Sequence, residues 1–91
     1  MPDHRVRLTD FDEKTGVSDT FVSLPGHDNA IQFEILNNET VGILIRKNGA
    51  GAEIEIPPKT DLHVHGNPGD FEIKRSQGTA SVTIGVVVHK A

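Results

Sequence analysis

From Ala30 to the C-terminus the apolar residues recur at every second position, the period of strands that bury one face, and no three-four spacing persists for two helical turns. Ile31, Phe33 and Ile35 alternate with Gln32 and Glu34, and Val41, Ile43 and Ile45 alternate again after Asn37-Asn38-Glu39-Thr40. Ile54 and Ile56 form a third run beyond the turn formers Asn48-Gly49-Ala50-Gly51, and Leu62 and Val64 a fourth beyond Pro57-Pro58. Phe71 and Ile73 follow Gly66-Asn67-Pro68-Gly69, and Val82, Ile84, Val86 and Val88 make a long last strand after Ser76-Gln77-Gly78. The pattern predicts an all-β chain: a small antiparallel β-sandwich or barrel of about six to eight strands with an extended N-terminal arm.

Facing buried residues across each turn gives a trial register of Ile35 with Ile43, Ile45 with Ile54, Ile56 with Leu62, and Ile73 with Val82. Pro57-Pro58 cannot donate to a ladder and is open to a second role, as a corner that passes the chain to another sheet. Residues 1–29 differ in character. Val6 and Leu8 alternate with Arg5 and Arg7, Phe21-Val22-Ser23-Leu24 is a short β candidate, and Asp3, Asp10, Asp12, Glu13, Asp19 and Asp28 punctuate them. This stretch is expected to be either an arm that docks on a neighbour or a set of edge strands; residues 30–91 form the sandwich domain.

The chain has 91 residues, no cysteine and a net charge of −4 from nine basic and thirteen acidic side chains. Disulfides and thiolate metal sites are therefore excluded, and scattered Lys and Arg argue against a nucleic-acid partner. Aliphatic runs as short as Val86-Val87-Val88 argue against a membrane partner. A core drawn from about sixty residues is marginal without a staple or oligomerisation. Leu36, Leu44 and Val87 fall out of phase with the buried set, so the outer side of their strands is expected to meet either a second sheet or a second subunit.

The one cluster with metal-ligand chemistry is His63-Val64-His65, whose imidazoles share a face. In the trial register Glu55 lies across from His63 and Glu53 across from His65. His-x-His followed by an acidic residue resembles the first metal motif of cupins, which would imply a metal-dependent binding protein or enzyme using His63 and His65. A cupin needs a third histidine on a later strand and an inward-facing site, and cross-strand Glu–His pairs are an ordinary way to stabilise a sheet. The latter reading is preferred, with no catalytic residue, metal or cofactor assigned. No nucleophile elbow occurs, Asn48-Gly49-Ala50-Gly51 lacks the Lys-Ser/Thr of a phosphate loop, and the chain has no Trp or Tyr platform for a sugar.

Taken together, Asn37-Asn38-Glu39-Thr40 leading into Val41-Gly42-Ile43-Leu44-Ile45, the Ile56-Pro57-Pro58-Lys59 corner, and Phe71-Glu72-Ile73-Lys74 followed by Ser76 to Ile84 resemble the small β-sandwich structural proteins of tailed bacteriophages. Capsid decoration, or cement, proteins are the nearest in style. The resemblance implies a non-enzymatic virion protein made in the host cytoplasm and carried on the capsid surface. It also implies a homo-oligomer, a trimer foremost, in contact with the major capsid protein or another virion protein.

Overall fold

A period-two pattern assigns each side chain to a face and leaves open which strand lies beside it. The computed structural model describes residues 8–49 and 51–91. It contains eight strands: β1 (Leu8–Val17), β2 (Val22–Ser23), β3 (Ala30–Asn37), β4 (Ile43–Lys47), β5 (Ile54–Ile56), β6 (Thr60–His65), β7 (Phe71–Arg75) and β8 (Val82–Lys90). A single 3-10 turn, Pro68–Asp70, precedes β7. Two four-stranded sheets result, ordered β1-β8-β3-β6 and β2-β7-β4-β5, with every pairing antiparallel. The expected all-β antiparallel sandwich is the architecture found, and the strand order is that of a jelly roll.

Between the sheets lie Phe33 and Ile35 of β3, Ile43 and Ile45 of β4, Ile56, Ile73, and Ile84, Val86 and Val88 of β8, joined by Val17 and Leu24 from the front segment. Phe33 and Phe71 meet across the layers with ring centroids 5.4 Å apart and planes tilted by 59°, a favourable edge-to-face arrangement.

The trial register survives at one of its four turns. Ile45 does pair with Ile54. Ile35 instead lies between Leu62 and Val86, Ile56 pairs with Ile43, and Ile73 lies between Ile45 and Val22. Val82 pairs with Val17. The physical reason is that sheets packed about 10 Å apart can be bridged by the same short connections that close hairpins, so Asn37 to Thr40, Pro57-Pro58 and Ser76 to Ser81 all carry the chain across the sandwich. Asn37, buried though polar, ties two of these crossings by donating to the carbonyls of Val41 (2.9 Å), Ile56 (3.1 Å) and Pro57 (3.0 Å).

From Leu8 onward the front segment is edge strand: β1 runs along β8, and β2 along β7. Val6 lies outside the described residues. Two members of the expected core are exposed, Ile31 at 48% and Ile54 at 55%. The β3–β8 register slips between Ala30 and Gln32, so a bulge turns Ile31 away from the core. Ile54 keeps the inward parity on edge strand β5, where the two sheets gape.

Candidate functional site

The outer face of the β1-β8-β3-β6 sheet carries the histidines. Opposite parity to the buried residues places Gln32, Glu34 and Leu36 of β3, Asp61, His63 and His65 of β6, Gly85, Val87 and His89 of β8, and Thr9 and Phe11 of β1 on this one surface.

Its polar half centres on Glu34. One carboxylate oxygen, Oε1, lies 3.8 Å from His63 Nδ1 and 3.5 Å from His89 Nε2. The His63 and His89 rings stack at 6.3 Å with planes 9° apart, and the His65 ring follows 5.5 Å from His63. Gln32 Oε1 lies 3.0 Å from His63 Nε2, and Thr9 Oγ1 lies 3.4 Å from His89 Nδ1. The expected partners lie elsewhere: Glu55 is the middle residue of β5 and Glu53 immediately precedes that strand, on the other sheet, where Glu55 sits opposite Leu44 and Glu53 approaches Arg46 at 3.8 Å. Glu34 and His89, which complete the cluster, are distant in sequence and become neighbours of His63 only because β3 lies between β6 and β8. Among the described residues no three His, Asp or Glu side chains are grouped so as to hold a metal ion.

The apolar half lies alongside. Phe11, 63% exposed, sits over β8 opposite Val87, and Leu36 approaches from the far side of β8. Gly85 lies between them, where an added Cβ would touch both Leu36 and the Phe11 ring at 3.4 Å. The out-of-phase aliphatics thus divide: Leu36 and Val87 share this surface, while Leu44 lies on the outer face of the other sheet, between Glu55 and Lys74. A hollow of about 420 Å³ opens beside Phe11 and Leu36, rimmed by Glu13, Asn38 and Glu39.

A second apolar opening lies where β5 and β6 edge the two sheets. Ile45, Ile54, Leu62, Val64 and Phe71 line a groove of about 270 Å³ there.

At the opposite side of the sandwich, β1 turns charge toward the interior: His27 Nε2 lies 3.0 Å from Asp12 Oδ2, and Lys90 Nζ lies 2.7 Å from Asp10 Oδ2. The Lys90 ammonium holds the Asp10 carboxyl below its ordinary value. The Glu13 backbone N–H, and then His27, do the same for Asp12. The basic pairs at strand ends are absorbed locally. Arg46 bonds Glu72 at 2.5 Å, which lowers the Glu72 carboxyl, and its guanidinium lies 3.8 Å from the Phe21 ring centroid. Arg75 bonds the carbonyls of Gln77 and Ala80.

No protein family model, curated protein or solved structure matches the chain.

Proposed function

We propose that this protein is a non-enzymatic structural protein of a virion, a capsid decoration protein that works by assembly. The observation that carries the reading is the outer face of the β1-β8-β3-β6 sheet, where Phe11 is 63% exposed beside Leu36 and Val87, next to a band of histidines and Glu34. An apolar patch rimmed by polar groups is the surface expected of a docking face. Jelly rolls serve capsid proteins, lectins and cupins alike, so the fold does not choose between them. The choice rests on where the chemistry lies: His63, His65 and His89 point outward from a sheet, whereas a cupin needs its ligands inside the barrel. The major capsid protein is the natural target of this face, and a symmetric oligomer, a trimer foremost, is the form the resemblance suggests. Its place is then the capsid surface, reached after synthesis in the host cytoplasm.

Cosedimentation with shells assembled from the capsid protein encoded in the same genome tests the reading. Saturable binding at a fixed ratio to capsid subunits is expected, with loss on Phe11→Ser. Failure to bind, from a gene lying among metabolic genes, removes it.

A further inference from the structure

Three of the four sheet edges are blunted against pairing with another chain. β1 is bulged between Lys14 and Val17 and turns Asp10 and Asp12 toward the sandwich interior. β2 has two residues, and β5 has three followed at once by Pro57-Pro58. Short strands, inward charges, bulges and prolines are the usual protections. β6 has six residues, no proline, lysine or bulge within it, and, among the described residues, no strand on its far side.

The hydrogen-bond phase of that edge is determined. Gly66 N–H donates to the Ile31 carbonyl at 2.8 Å, continuing the β3–β6 register by one pair. Hydrogen-bonded pairs alternate in an antiparallel ladder, so Thr60, Leu62, Val64 and Gly66 bond β3, while Asp61, His63 and His65 turn their N–H and C=O to the open edge.

We propose that β6 is a self-association edge whose partner is β6 of a second copy, paired antiparallel about a two-fold axis through His63. Two constraints narrow the registers, and pairing all three open residues at once selects this one. A continuous sheet must keep inward residues opposite inward ones, and only the odd residues have free backbone groups. Centring on His63 satisfies both: His63 meets its own equivalent, Asp61 meets His65 of the partner subunit, and His65 meets the partner's Asp61. Every exposed backbone group of these residues gains a partner.

Charge and packing agree with that alignment. Asp61 and His65 are both exposed and on the outer face, so each pair sets an imidazole N–H against a carboxylate, twice by symmetry. On the inner face Leu62 meets the partner's Val64, at the mouth of the apolar groove that leaves Ile54 55% exposed. The sheet becomes eight-stranded and continuous, and the outer face carrying Phe11 stays free. The proposal rests on the self-association part of the reading above, puts a two-fold dimer in place of the trimer, and is tested without any shell present.

The experiment is sedimentation equilibrium of the purified full chain, up to about millimolar concentration. A concentration-dependent rise from 9.9 kDa toward twice that mass is expected. His63→Pro removes a solvent-facing N–H, which an edge strand tolerates, together with exposed side-chain contacts to Gln32, Glu34 and His89, so it should lower the melting temperature by only a few degrees and abolish the dimer. Should it fail to fold, the charge exchange decides. Asp61→His and His65→Asp should each weaken association tenfold or more, since each removes both imidazole–carboxylate pairs of the two-fold interface, and the double variant should recover it. The cysteine-free background adds a geometric check: His63→Cys should cross-link to itself with a short bis-maleimide, and Asp61→Cys should not. A chain that stays monomeric throughout, a dimer indifferent to His63→Pro, or a charge exchange without recovery overturns the proposal. A trimer overturns it too, while leaving the capsid reading standing.

Discussion

The Asn37 side-chain amide, at the end of β3 in one sheet, donates to the Ile56 carbonyl at the end of β5 in the other at 3.1 Å. The same Nδ2 reaches the Val41 and Pro57 carbonyls, and the Glu39 N–H donates back to Oδ1 at 3.1 Å. One buried amide thus satisfies backbone groups at two places where the chain changes sheets, groups that would otherwise be desolvated without partners.

Asn37→Ala should therefore cost about 2–4 kcal/mol, more than a single exposed hydrogen bond, because one buried and two partly buried carbonyls lose their donor together. Asn37→Asp should cost at least as much at neutral pH, since it turns a carboxylate toward those carbonyls. Urea denaturation measures both; a loss below about 1 kcal/mol would show that solvent replaces the amide.

Acid should weaken the fold partly through β1. Folding lowers the Asp10 and Asp12 carboxyls below 3.8, so the stability they contribute is present above that value and is lost as pH falls through the folded values. Both side chains lie at the open edge and stay partly solvated, so screening keeps the contribution small. Lys90→Met removes the main cause at Asp10, and carboxyl NMR titration should show the Asp10 midpoint rising toward 3.8. An unmoved midpoint would mean that the Lys90 contact does not persist in solution.

Gly69→Ala should destabilise by about 1–3 kcal/mol, the ordinary cost of overpacking. Its φ is unexceptional; the obstacle is space, because a Cβ there would lie 2.8 Å from the Gly26 Cα, and backbone cannot rotate aside. Asn67 clamps the same contact, its Oδ1 accepting from His27 N–H at 3.2 Å and Gly69 N–H at 3.0 Å. A melting temperature equal to that of wild type would show that the two loops separate easily.

Phe11→Ser should leave the melting temperature within a few degrees, since the ring is 63% exposed and surface changes away from packed features are usually within about 0.5 kcal/mol. Its effect belongs to assembly: capsid binding should fall while β6 dimerisation is retained. Loss of both together would place the Phe11 face and the β6 edge in one interface.

Strand identity was legible because burial alone imposes it. Every run of alternating apolar residues from Ile31 onward became a strand, and Ile35, Ile43, Ile73 and Val86 took the inward side as their parity required. The candidate site was half legible: the His63-Val64-His65 spacing already put both imidazoles on one face. Their partners were not, since Glu34 and His89 come from strands 29 and 26 positions away from His63.

Local sequence, then, determined which segments are strands, which face each side chain takes, and that Ile45 meets Ile54, because the period of the pleat and the chemistry of a glycine turn act over a few residues. Tertiary structure decided everything that depends on neighbours in space. It sent Asn37 to Thr40 and Pro57-Pro58 across the sandwich, inserted β3 between β6 and β8, and thereby set Glu34 between His63 and His89 in place of Glu53 and Glu55. The physical reason is that a turn and a crossing of this length have the same local composition. What separates them is the free energy of closing two sheets over one core, a sum over the whole chain that no single segment carries.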